Sequence, residues 1–161
     1  MKNKLKENLV TYAVAIALPL AVGLLSAFLT RGNMSLYSEI KMPPLAPPSW
    51  LFPAVWSILY VLMGVSSALV FTNASADPTE ARRGLTAYLI SLFVNFFWSI
   101  IFFNLRAFIF ALVWLLLLLF LIIKTVIHYK RVVPIAAYLQ IPYVIWVLFA
   151  GYLNLAIAIL N

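Results

Sequence analysis

Residues 107–123 read AFIFALVWLLLLLFLII, seventeen positions without a charge. A helix crosses the hydrocarbon core of a bilayer with about 20 apolar residues, within a range of roughly 17–25. The unbroken run Leu115 to Leu119 leaves no polar stripe at either helical or strand spacing. A helix that is apolar on every side belongs in a large core or in lipid, and a chain of 161 residues offers no large core. The stretch therefore reads as a membrane span facing lipid, drawn out to about residues 107–127.

Working outward, the same reading repeats on both sides. Asn104-Leu105-Arg106 forms a tight hairpin back to an uncharged stretch at 84–103, and the segment 124–131 closes the fourth span ahead of 132–160. Upstream lie 9–29 and 49–71, ended by Arg31-Gly32-Asn33 and by the segment 73–83. The expected architecture is an all-α integral membrane protein, a five-transmembrane-helix bundle, in a single domain over 1–161. Composition agrees: 66% of residues are hydrophobic and 9% charged, against about 25% charged in soluble domains. The first run is longer than the 7–15 residues of a signal-peptide core, so it reads as a retained helix.

The basic residues sit at the ends of these spans. Lysines 2, 4 and 6 with Arg82, Arg83, Lys124, Lys130 and Arg131 fall on one side, and Arg31, Lys41 and Arg106 on the other. The positive-inside rule then puts the N-terminus in the cytoplasm and the C-terminus outside, for a chain that sits in a plasma membrane. A net charge of +7 distributed in this way reads as topology signal and headgroup anchoring, with no nucleic-acid partner. There is no cysteine and a single histidine, His128. No thiol chemistry or multi-histidine metal site is expected, and His128 reads as a solvated residue at the membrane edge. No Asp, Glu, Lys, Arg or His falls inside the uncharged stretches of the predicted spans (107–123 in the fourth), which argues against ion-coupled transport.

The polar groups left inside are Asn95, Gln140 and Asn154, with scattered hydroxyls. A primary amide in hydrocarbon must find a partner, either as glue between helices or as a contact for a ligand. Helical spacing places Trp56, Tyr60 and Met63 on one stripe, Asn95, Trp98, Ser99 and Phe102 on a second, and Trp146, Ala150, Leu153 and Asn154 on a third. Together they suit a flat, greasy ligand with a few polar atoms. Trp114 has no polar companion in sequence and reads as packing or lipid-facing. Trp50, near a span end, also fits an interfacial belt. Small residues at Ala13, Ala17 and Ala21, and at Gly64 and Ala68, permit close helix approach within one chain or between two. The first loop, 30–48, holds Pro43, Pro44, Pro47 and Pro48. Proline fixes its own φ and restrains its predecessor, so the loop is stiff and reads as a lid over a pocket mouth or, alternatively, as a stiff surface linker.

Three stretches carry a resemblance. The run 43–60, PPLAPPSWLFPAVWSILY, the run 95–103, NFFWSIIFF, and the run 142–154, PYVIWVLFAGYLN, are in order and register similar to the translocator protein family, also called tryptophan-rich sensory proteins or peripheral benzodiazepine receptors. The resemblance covers nearly the whole chain. It implies a five-helix bundle, often a homodimer, that binds porphyrins such as protoporphyrin IX and haem. Hydrophobic drug-like ligands and lipids are further partners it implies. The pocket lies between helices under the first loop, at positions that match Tyr37, Pro47, Trp50, Trp56, Tyr60, Asn95, Trp98, Phe102, Tyr143, Trp146, Ala150 and Leu153. The function implied is a membrane receptor or sensor for tetrapyrroles in porphyrin homeostasis and stress response. Alternatives are light- and oxygen-dependent porphyrin degradation, with Trp56 and Trp146 as catalytic residues, and porphyrin or lipid transport. No cofactor is required; porphyrin is ligand or substrate. One departure concerns cholesterol, whose proposed motif places Lys or Arg shortly after a Tyr. No basic residue follows Tyr152, and Ala158-Ile159 stands where relatives carry a Trp-Arg pair, so the resemblance implies a bacterial member, in a bacterial plasma membrane, over a mitochondrial one.

Overall fold

The computed structural model describes residues 2–161, with side chains from Glu7 onward; lysines 2, 4 and 6 of the charge argument lie outside the described side chains. Five long helices carry the fold: α1 (Lys2–Thr30), α3 (Leu51–Thr72), α4 (Pro78–Ser99), α5 (Phe108–Val132) and α6 (Pro134–Leu160). A one-turn helix, α2 (Leu36–Glu39), sits in the first loop behind a 3-10 turn at Arg31–Asn33. All five long helices are long and apolar enough to cross a membrane.

The helix ends follow local chemistry, and three differ from the boundaries read off the sequence. The third span starts at Pro78 rather than near 84. The Asp77 side chain accepts the Glu80 backbone N–H at 3.0 Å, and Pro78 occupies the first turn, where a missing N–H costs little. The fourth runs on to Val132, because Lys124, His128, Lys130 and Arg131 end the hydrocarbon-compatible stretch without ending the helix. Only Val133, extended at φ −143° and ψ 103°, separates it from Pro134 at the start of α6. The hairpin after α4 is not a simple turn. Residues Ile100–Asn104 form a π turn, and Arg106 follows in the left-handed region at φ 52°.

Helix α5 packs against both α4 and α6, α6 against α3, α3 against α1, and α1 more lightly against α4. The order around the bundle is therefore α1–α3–α6–α5–α4, closing back on α1. This corrects the reading of the fourth span as simply lipid-exposed. Ala111, Leu115, Leu118, Ile122, Thr125 and Tyr129 form its buried stripe at helical spacing, while Phe110, Val113, Leu116 and Phe120 face outward. A leucine-only surface shows no stripe in sequence, yet neighbours on two sides create one. Trp114 takes the packing alternative: it is half-buried against the core, and its indole N–H donates to the Val94 carbonyl at 2.7 Å, tying α5 to α4.

The small-residue patterns separate in the same way. Gly64 faces α1 so closely that a Cβ there would lie 2.7 Å from the Ala15 carbonyl oxygen, an intramolecular approach of backbones. Ala13, Ala17 and Ala21 are all exposed on the outer face of α1.

Candidate functional site: an aromatic centre beneath the first loop

Helix α3 brings Trp56 and Tyr60 inward one turn apart, and their rings stack with centroids 5.5 Å apart. Across from them α6 supplies Tyr143, 6.0 Å from Trp56 and edge-on to it. Trp146 follows one turn later on the same face of α6. It contacts Phe52 at 5.8 Å, and Phe52 in turn meets Tyr37 of the loop at 5.4 Å. From α4, Asn95 is 3% exposed and lies near the hydroxyls of Tyr60 and Tyr143, with no hydrogen bond made by its amide nitrogen. One connected group of side chains from α3, α4, α6 and the loop is thus assembled.

The three amides meet different fates. Gln140 donates to the Ser66 hydroxyl at 3.1 Å, and Ser66 donates to the Ala136 carbonyl at 2.7 Å. Asn154 accepts from the Trp98 indole at 3.2 Å and donates to the Phe108 carbonyl at 2.8 Å. Both are helix–helix glue. Among the described residues five buried side-chain polar atoms have no hydrogen-bond partner: the Asn95 amide nitrogen, the Tyr143 hydroxyl and the Trp146 indole nitrogen in this centre, and the Tyr88 and Tyr129 hydroxyls elsewhere in the bundle. Leaving a buried donor unsatisfied costs about 1–3 kcal/mol, so three in one centre mark polar capacity that the fold itself does not use.

The loop lies across this end of the bundle and is tied at several points. Leu36 is fully buried with Ile101, Phe102, Ala111 and Ile157. The Tyr152 hydroxyl donates to the Pro44 carbonyl at 2.7 Å, and Tyr37 to the Pro47 carbonyl at 2.8 Å. Burial pushes the Tyr37 phenol up from its ordinary value, so it remains a donor. Asn161 holds both backbone groups of Lys41 at 2.8 and 3.1 Å. Glu39 pairs with Arg106 at 3.1 Å, which links the loop to the hairpin after α4.

Of the residues singled out from sequence, Tyr37, Trp56, Tyr60, Asn95, Tyr143 and Trp146 come together here. Pro47 joins through its carbonyl. Trp98 and Phe102 stack on each other at 5.3 Å in a neighbouring layer with Asn154. Ala150 and Leu153 are buried on α6. Trp50 stays apart, 67% exposed at the start of α3, in the position of an interfacial belt. Sequence reading missed Gly23. A Cβ at that position would run into the Tyr60 ring, so α1 shapes the site by having nothing there. An isolated glycine in an apolar helix is the only signal that pointed to it.

His128 also departs from expectation. Its side chain is 16% exposed, and its Nδ1 lies 2.9 Å from Glu80 Oε2; it is paired rather than solvated. Glu80 is itself nearly buried and also bonds Arg83 at 3.0 Å and Arg131 at 2.9 Å. The cluster pins the start of α4 to the end of α5. It sits at the opposite end of the bundle from the loop.

The fold and this centre define an integral membrane protein of five helices with an aromatic, sparsely polar core site capped by a proline-rich loop. The sequence profile of the TspO/MBR family matches residues 15–160. The chain is 36% identical to the tryptophan-rich protein TspO of Chlorobaculum tepidum, covering 98% of this chain and 99% of that one. It is 33% identical to protein CrtK of Rhodobacter capsulatus over 96% and 94%, and 36% identical to the translocator protein of Bos taurus over 85% and 82%. The chain belongs to the TspO/MBR family.

Proposed function

We propose that this protein is a membrane receptor for tetrapyrroles, with protoporphyrin IX or haem held in the aromatic centre beneath the loop. The observation that carries the reading is the set of unpartnered donors on Asn95, Tyr143 and Trp146 beside the stacked Trp56 and Tyr60. A flat macrocycle offers π faces to the rings, and its ring nitrogens and carboxylates offer acceptors to the donors. Entry requires the rings to move apart, and the loop, held by a few hydrogen bonds, is the element that opens. Family membership supports a role in sensing or translocation at a membrane. The charge bias supports a cytoplasmic N-terminus and an external C-terminus.

The test is titration of the detergent-purified protein with protoporphyrin IX, following tryptophan emission in the dark and the porphyrin spectrum under light. Saturable quenching with a stable spectrum is the receptor outcome. Bleaching that is lost in Trp56→Phe or Trp146→Phe would convert the reading to light-driven porphyrin degradation. Absence of saturable quenching would reject both.

A further inference from the structure

A second site stands apart from the aromatic centre and does not depend on the tetrapyrrole reading. On the outside of the bundle, an open groove of about 760 Å³ runs between the first turns of α4 and the last turns of α5. Its α4 wall carries Arg82, Thr86 and Ile90, four residues apart on one helix face. Its α5 wall carries Lys124 and, one turn deeper, Phe120. At 1.5 Å per residue, Arg82 and Ile90 lie about 12 Å apart along the helix. The groove therefore passes from cationic at the membrane edge to apolar within it.

Two of the three charges at its mouth, Arg82 and Lys124, are not neutralised by the protein. Arg83 gives one side of its guanidinium to Glu80, and that carboxylate is already saturated by His128 and Arg131. Arg82 and Lys124 make no ion pair among the described residues. Of the other acids at this end, Asp77 caps α4, and neither it nor Glu7 lines the groove. The Lys124 ammonium lies over the Phe120 ring, 5.7 Å from its centroid, so its partner within the protein is an aromatic face and not a carboxylate.

We propose that this groove is a binding site for one anionic phospholipid of the leaflet on the N-terminal side. The phosphate sits among Arg82, Arg83 and Lys124, and an acyl chain runs along Thr86, Ile90 and Phe120. A soluble anion has no use for the apolar wall. A zwitterionic lipid brings an ammonium group to a mouth that already holds three cations and no free carboxylate. Charge complementarity and the polarity gradient along the membrane normal select the anionic lipid.

Native mass spectrometry of the full chain in nonionic detergent tests this, with phosphatidylglycerol, phosphatidylcholine and glycerol 3-phosphate as separate probes. One phosphatidylglycerol is expected to be retained in clear preference to phosphatidylcholine, and glycerol 3-phosphate not at all. Each basic side chain near a membrane surface contributes enough that Arg82→Ala/Lys124→Ala should weaken retention by about thirty-fold. Thr86→Trp, which fills the groove without altering charge, should weaken it too. Lys2→Ala/Lys130→Ala, with the same loss of charge on the same side of the membrane, should not. Equal retention of the two lipids, or equal loss in that control, would overturn the site as general surface attraction. Retention of glycerol 3-phosphate would make it an anion site instead of a lipid site. The wild-type lipid preference is readable even where a variant fails to fold.

Discussion

Asn95 and Gln140 are both buried amides in membrane helices, yet their substitutions should have opposite effects. Gln140→Leu removes the bond to Ser66 and is expected to cost about 1 kcal/mol. Asn95→Leu removes an amide nitrogen that has no partner. It should leave the ligand-free protein as stable or more so, while weakening protoporphyrin binding several-fold. Thermal unfolding in detergent, paired with the quenching titration, separates the two. A large loss of stability in Asn95→Leu would mean that the amide is glue after all. Gly23 makes a related prediction from steric grounds. Gly23→Ala pushes a methyl group into the Tyr60 ring, so it should shift Trp56 emission and alter ligand affinity although residue 23 carries no chemistry. Unchanged emission and affinity would mean that Tyr60 has room to retreat.

Among the elements, the contact between α1 and α3 depends on backbone approach at Gly64. Adding a Cβ there meets the main chain of Ala15 and Ile16, which cannot swing aside as a side chain does. Gly64→Ala should therefore destabilise by about 1–3 kcal/mol, the usual range for overpacking, visible as a lower melting temperature. The first loop acts as an element through its ties. Tyr152→Phe deletes the donor to Pro44 and should speed ligand release more than it slows capture. Stopped-flow recovery of tryptophan emission measures this, and an unchanged release rate would show that Leu36 burial alone holds the loop. The two acidic anchors also differ in setting. Glu80 is enclosed by three basic partners, whereas Glu39 and Arg106 are both about half exposed and such pairs contribute little. Glu80→Gln should lower the melting temperature clearly more than Glu39→Gln.

For the whole molecule, the distribution of basic residues predicts orientation. Reporter fusions should be active in the cytoplasm at the N-terminus and outside at the C-terminus; the reverse would mean that the charge bias does not govern insertion here. The five spans, their number and the stiff loop were legible because hydropathy accumulates along the chain and proline restricts its own neighbourhood. So were Trp56, Tyr60 and Trp146, since helical spacing assigns residues to stripes, whereas Tyr143 came only through the family resemblance. The fates of Asn95, Gln140 and Asn154 were not legible, because an amide in sequence does not reveal whether a hydroxyl or carbonyl awaits it on another helix. Glu80 and His128 lie 48 residues apart and read singly as edge residues, although the fold makes them a pair. Sequence by itself determined the membrane as solvent, the number of helices and the bias of charge between the two sides. Only the tertiary structure decided the order α1–α3–α6–α5–α4, the layer to which each aromatic belongs and the groove at the basic edge. The physical reason is that lipid and neighbouring helices are equally apolar, so composition cannot choose among partners. That choice falls to close steric fit and to the few polar atoms that find a mate.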